Sequence, residues 1–324
     1  MQINGKNCLP VGLGCWAIGG QFIDGGAQAG WGDVDDEVSL AALEAGIEIG
    51  ATFIDTANIY GAGHSEVLVG KAIAGKREQV IVTTKFGILC DEVKKETTGQ
   101  IQSKADIFQS VEDSLWRLNT EYIDLLLFHL GQYPIDDSEM VLEALEQLVD
   151  QQKIKAFGWS TSDPKRAAIF AKSKNCLAME YAINVLEDDP QMRNFCKENQ
   201  LLSICRSPLA MGLLTGKYKE GMEMKNNDLR GKNAPSWMQY YIDGKPNLQL
   251  LEKLEQIKGI LADGGRTLAQ GCIDWVLGFG ENHLVIPGFK NEKQVLENVA
   301  AATFGGLTVA QMNEIEKLLE RETK

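Results

Sequence analysis

Short runs of apolar, β-favouring residues recur along the chain at Val11–Trp16, Thr52–Ala57, Val80–Lys85, Tyr122–His129, Ile154–Ser160, Cys176–Tyr181, Leu201–Arg206 and His283–Pro287. Between them the apolar positions follow a helical period. Ile107, Val111, Leu115 and Leu118 mark one stripe, and Val141, Leu142, Leu145, Leu148 and Val149 another. Asp163-Pro164 and Asp189-Pro190 each set an N-cap side chain before a proline at the first helical position. Ahead of these elements, Gln2-Ile3-Asn4-Gly5-Lys6 carries an Asn-Gly hairpin signal, placed to cap the bottom of a barrel. Eight strand–helix repeats predict a (β/α)8 TIM barrel with an N-terminal β-hairpin and chemistry at the C-terminal strand ends. A doubly wound open sheet is the rival topology. No Pro/Ser-rich linker or shift in composition divides the 324 residues, so residues 1–324 are expected to form one domain. The gap between the seventh and eighth strands is much longer than the rest. Its Gly/Lys/Asn-rich stretch, Gly216–Pro246, precedes two helical patterns and lies where a barrel would carry a lid.

Charge and composition narrow the function classes. With 32 basic and 45 acidic side chains the formal charge is −13, which disfavours nucleic acid and anionic membranes as partners. A phosphate site would therefore have to be a local cluster of cations and backbone N–H groups. No apolar run approaches the roughly 18 residues of a membrane span. Pro10 and nearby glycines interrupt any leader-like segment. The seven cysteines form no C-x-x-C, and the expectation is reduced thiols in a cytoplasmic protein. Three histidines, at 64, 129 and 283, lie far apart, so no metal site is expected.

Gly12-Leu13-Gly14-Cys15-Trp16-Ala17 fits a dinucleotide-binding fingerprint in letters. That fingerprint needs a helix to open at once so that its N-terminus faces the pyrophosphate. Here a glycine-rich stretch follows and helical period resumes only near Asp36. The glycines are expected to turn a tight strand end.

The stronger signal is at the ends of strands two to four. Strand two ends in Asp55, with Tyr60 in the following loop; strand three ends in Lys85 and strand four in His129. Each has a bland reading alone: a cap, a packed loop ring, a surface lysine, a core histidine. Together at neighbouring strand ends they read as proton-transfer machinery. A tyrosine, ordinarily a sluggish acid near pKa 10, is activated by a buried ammonium that stabilises its phenolate, and a carboxylate keeps that ammonium charged. A neutral histidine then bonds a substrate oxygen without competing for the proton.

These residues, with Gly61 and Gly63-His64-Ser65-Glu66, resemble the aldo-keto reductases. So do Gly12-Leu13-Gly14-Cys15-Trp16, Gly158-Trp159-Ser160, Ser207-Pro208-Leu209, Gly212-Leu213-Leu214-Thr215-Gly216-Lys217, Ile286-Pro287-Gly288 and Glu297-Asn298. The matches occur in the family's order over nearly the whole chain. The resemblance implies a barrel binding NADP(H) across its mouth and reducing an aldehyde or ketone. Tyr60 would be general acid and base, Lys85 and Asp55 would tune it, and His129 would orient the carbonyl. Trp16 and Gln21 would lie near nicotinamide and substrate, and Ser160 would hold the carboxamide. Ser207, Pro208, Leu209, Gly212 and Lys217 would line the pyrophosphate. Gly288, Lys290, Gln294, Glu297 and Asn298 would serve the adenosine end.

Three positions depart from the family's usual residues: Thr161 for Asn, Glu180 for Gln, and Arg206 for an aromatic ring. Arg206 and Glu180, on neighbouring strands, are expected at one mouth near the nicotinamide. They would form an ion pair there, or leave the guanidinium beneath the ring. Two other functions remain in view. One is a non-catalytic nucleotide-binding docking subunit of the same fold, as in potassium-channel beta subunits. The other is a barrel glycosidase using Asp55 and Glu180 across a cleft.

Overall fold

In the computed structural model, which describes residues 1–321, the eight apolar runs form eight strands of one parallel sheet. They are β1 (Leu13–Gly14), β2 (Phe53–Asp55), β3 (Ile81–Phe86), β4 (Leu125–Phe128), β5 (Phe157–Ser160), β6 (Cys176–Ala182), β7 (Leu202–Arg206) and β8 (His283–Val285). Each pairs with the next in chain order. Parallel bridges Val11–Val285 and Gly14–Gly288 join first to last, and Gly12 N–H donates to Val285 O at 2.8 Å. The sheet is thus a closed barrel, not an open doubly wound sheet. Gly14 is needed for closure, since a Cβ there would stand 2.7 Å from Ile286 O, and Gly12 for the approach of β2, where a Cβ would stand 2.7 Å from Phe53 O. The apparent dinucleotide fingerprint is a packing feature.

Alternation along the strands separates two cores. Phe53, Ile81, Leu125, Leu127, Ala178, Ile204, Leu284 and Ile286 fill the barrel interior. Ile3 and Cys8 close its floor, beside the hairpin Gln2–Ile3/Lys6–Asn7. Their neighbours of opposite parity, such as Val82, Phe128, Trp159 and Tyr181, pack outward in the larger core shared with the helices. Helix α3 (Lys104–Leu118) turns Ile107, Val111, Leu115 and Leu118 inward, and α4 (Ser138–Asp150) buries Val141, Leu145 and Leu148. Asp163 and Asp189 each cap a helix, accepting from Lys165 N and Met192 N.

Gly63-His64-Ser65-Glu66 opens the helix His64–Ala72 and locks it to the barrel. Ser65 Oγ donates to Cys15 O at 3.0 Å, and Glu66 accepts from Arg117 at 2.6 Å and from Thr84 Oγ1. Two loop features were not anticipated. A four-stranded sheet joins Ile23–Asp24 and Ala27–Gln28 to Ile88–Asp91 and Glu96–Gln100 above the barrel. The segment after β7 holds a hairpin, Tyr241–Ile242/Lys245–Pro246, before the helices Leu248–Leu261 and Leu268–Leu277. It is tied to the loop after β1 by Leu229 N–H donating to Gly30 O at 2.8 Å.

Candidate active site

Asp55, Lys85, His129, Ser160, Glu180 and Arg206 have the interior parity of their strands, two or more steps beyond the hydrophobic filling. Strand geometry therefore delivers them to the C-terminal mouth. There a cavity of about 920 Å³ opens, lined by Trp16, Asp55, Tyr60, His129, Ser160 and Arg206 on the barrel side. The same cavity reaches Ser207, Pro208, Leu209, Gly212, Lys217, Gly288, Lys290, Gln294, Glu297 and Asn298. Gln21 does not line it: the side chain is exposed and donates to Asp33. The bond to Asp33, within the same loop after β1, holds it at the surface. The loops add Trp31, Arg230, Trp237 and Tyr240 to the lining.

Lys85 is fully buried and organises the centre. Its Nζ donates to both Asp55 carboxylate oxygens at 2.7 Å, to Thr56 O at 3.0 Å and to the Tyr60 hydroxyl at 3.2 Å. Burial opposes its charge, but Asp55 and Glu180 raise its pKa above the ordinary lysine range. Tyr60 behaves differently from the sequence expectation. Burial raises the phenol well above its usual value, and the lowering influence of Lys85 only partly offsets this. The resting side chain is therefore a protonated donor. Its ring stacks on Trp16, at 5.8 Å and 17°, and meets His129 edge-on at 6.1 Å. Burial, with Lys85 and Arg206 nearby, holds His129 far below its ordinary pKa, so the imidazole is neutral.

Glu180 and Arg206 do not pair. Glu180 lies 3.3 Å from Lys85 Nζ, and its other oxygen accepts from Ser160 Oγ at 3.2 Å. In register Glu180 lies beside Ile204 while Arg206 lies beside Ala182, one interior layer nearer the mouth. The carboxylate therefore points to the lysine across the barrel, while the guanidinium lines the cavity without an ion pair among the described residues. This arrangement also removes the glycosidase reading. Asp55 and Glu180 converge on one ammonium instead of flanking a cleft wide enough for a glycosidic bond. Thr161, the third departure, donates to Gly131 O at 2.9 Å and pins the loop after β4.

At the far end the cavity is basic despite the acidic chain. Arg230 is bound on every nitrogen. Nε and one terminal nitrogen donate to Asp228 at 2.8 and 2.7 Å, and the other donates to Tyr218 OH at 2.6 Å and Met211 O at 3.2 Å. Lys290 Nζ has one partner, Trp31 O at 2.5 Å, and its backbone N–H donates to Gln294 Oε1. Ser207, Ala210, Met211 and Gly212 all take positive φ, wrapping the chain after β7 around this end.

A closed parallel barrel with a buried Asp–Lys–Tyr cluster and a neutral histidine at its mouth places the chain in the class of barrel oxidoreductases. The Aldo/keto reductase family profile matches residues 10–320, and the chain belongs to that family of nicotinamide-dependent oxidoreductases. An aldo-keto reductase of Schizosaccharomyces pombe, yakc [NADP(+)], is 30% identical over 92% of this chain and 85% of its own. The NADH-specific methylglyoxal reductase of Escherichia coli is 28% identical over 96% and 95%. The structure of glycerol dehydrogenase AKR11B4 from Gluconobacter oxydans superposes with a TM-score of 0.80 at 29% identity, covering 100% of this chain and 95% of that one. No helix among the described residues is long and apolar enough to cross a membrane.

Proposed function

We propose that this single-domain chain reduces an aldehyde or ketone with NADPH, with Tyr60 as proton donor. The observation that carries the reading is the contact of a protonated, buried phenol with a lysine whose remaining donors are taken by Asp55 and Thr56. Tyr60 gives its hydroxyl proton to the substrate oxygen, and the Lys85 ammonium 3.2 Å away stabilises the phenolate left behind. Asp55 keeps Lys85 charged and aimed. Neutral His129 presents an N–H to the same oxygen. Trp16, stacked on Tyr60, fixes the plane of the phenol ring. In the reverse direction the phenolate takes the alcohol proton.

The cavity suits a phosphorylated dinucleotide. A chain of formal charge −13 gathers Lys217, Arg230 and Lys290 on the walls of the cavity that holds Tyr60 and His129. Such local cations are what a polyphosphate needs on an acidic protein. Bound there, the cofactor would supply hydride to the carbonyl carbon. Ser160 would hold the carboxamide; Ser207, Pro208, Leu209, Gly212 and Lys217 the pyrophosphate; Gly288, Lys290, Gln294, Glu297 and Asn298 the adenosine end. NADP(+) in the yeast relative's name accords with this, and the NADH-specific relative makes the choice worth testing. Following NADPH absorbance against aldehydes, ketones and sugars tests the reading. Bound nucleotide with no turnover on any of them would replace it with a docking role.

Arg206 gives a second test. Oxidised nicotinamide is cationic and reduced nicotinamide neutral, so a nearby guanidinium disfavours only the oxidised form. Two unit charges ~5 Å apart at an effective dielectric near 20 repel by about 3 kcal/mol. Solvent around a half-buried side chain leaves about 1 kcal/mol, or roughly fivefold. Because Glu180 faces Lys85 and Ser160 one layer below Arg206, it does not cancel this charge. Arg206→Tyr should therefore tighten NADP⁺ about fivefold more than NADPH in fluorescence titrations. Equal movement of both affinities would make Arg206 a packing residue only.

A further inference from the structure

Glu180 is the one member of the central cluster to which the mechanism gives no task. It is 1% exposed, on β6, and its Oε2 has no hydrogen-bond partner although Lys85 Nζ stands 3.3 Å away. The reason is arithmetic: an ammonium has three protons, and those of Lys85 are directed at Asp55, Thr56 O and Tyr60. Two buried carboxyls, 2% and 1% exposed, thus face one cation. A second buried carboxylate with an orphaned oxygen is costly unless it is neutralised. Asp55 Oδ1 at 2.7 Å and Glu180 Oε2 at 3.3 Å both face the same Lys85 nitrogen, so two ionised carboxylates would stand within about 6 Å of each other.

We propose that Asp55 and Glu180 share one proton at neutral pH, which keeps the buried cluster around Tyr60 electrically neutral and makes Glu180 a positioning residue for proton donation. With the proton in place, one negative charge balances Lys85. With it lost, a second negative charge stands beside the phenol that must become phenolate, and donation becomes harder. Like charges at one site drive such sharing, as in paired catalytic carboxyls. Burial and Glu180 both push the Asp55 carboxyl upward, against the opposing pull of Lys85. The other titratable groups facing the pair do not supply the missing cation. Cys15, from the loop after β1, is a buried thiol held protonated, as is Cys205 on β7; His129, just after β4, is neutral. Arg206 lines the cavity one layer above.

The catalytic consequence rests on the carbonyl-reductase reading, whereas the shared proton itself does not, so two measurements separate them. Infrared difference spectra of the cofactor-free protein at neutral pH, wild type minus Glu180→Gln, should show the C=O stretch of a buried carboxylic acid in the wild type. The band should vanish in Glu180→Gln and also in Asp55→Asn, because either change leaves one carboxylate for one lysine. Separately, the alkaline fall in kcat for reduction should move up by about one pH unit or more in Glu180→Gln. A wild-type spectrum without the band, or a band surviving in either variant, overturns the shared proton. Loss of the band with an unmoved alkaline limb overturns the positioning role. Failure of all carbonyl substrates would strike the reductase reading and leave the spectral result standing.

Discussion

Tyr60→Phe is expected to lower carbonyl turnover by about 10²–10⁴-fold, the usual worth of a positioned general acid, while NADPH affinity stays within a few-fold of the wild type. The substitution removes only the hydroxyl. The ring that stacks on Trp16 and borders His129 is retained, so the cavity wall should keep its shape. What is lost is the proton that burial keeps on the phenol, and with it the oxygen to which Lys85 donates. Lys85 keeps Asp55 and Thr56 O as partners, so the variant does not strand a buried cation and should fold normally. Single-turnover rates alongside nucleotide titration would separate chemistry from binding. A Tyr60→Phe protein with near-normal turnover would take the tyrosine out of the mechanism.

The barrel was legible because its interior repeats one physical theme. Each strand places an apolar residue inward, then an apolar residue outward, and the eight runs recur between amphipathic helices. The site was legible for the same reason: Asp55, Lys85 and His129 continue the inward parity of Phe53, Ile81 and Leu127. Partners were harder to read. Adjacency in strand order suggested Glu180 with Arg206, but side chains inside a barrel meet across it. Thus Glu180 on β6 reaches Lys85 on β3, and no spacing in the sequence records that distance. Trp31 and Trp237 were missed as cavity walls because they come from loops positioned by long-range contacts such as Gly30 with Leu229. One loop feature did carry a signal. Asp24-Gly25-Gly26-Ala27 is a hairpin sequence, and both glycines have positive φ in the small sheet above the barrel. Burial, invisible in the sequence, raises the Tyr60 phenol and outweighs the neighbouring ammonium in the cofactor-free protein.

Lys290→Ala is expected to weaken NADPH binding by ~10- to 150-fold and NADH binding far less, since a charge-assisted contact is worth about 1.5–3 kcal/mol. The 2′-phosphate distinguishes the two cofactors, and it needs a cation with donors to spare. Arg230 is the obvious rival, but Asp228, Tyr218 and Met211 O occupy its guanidinium and Asp228 cancels its charge. Lys290 has given one proton to Trp31 O and keeps two. Burial lowers its pKa, and the nearby Arg230, Lys217 and Lys225 push the same way against Asp228. A dianionic phosphate arriving among these cations relieves their mutual repulsion and holds Lys290 charged. That relief gives the phosphate a coupling to the site that NADH lacks. Lys290→Arg should keep most of the preference, because a guanidinium also binds phosphate. Matched losses for NADPH and NADH in Lys290→Ala would show that the phosphate is read by another group, and Arg230 would be the next residue to change.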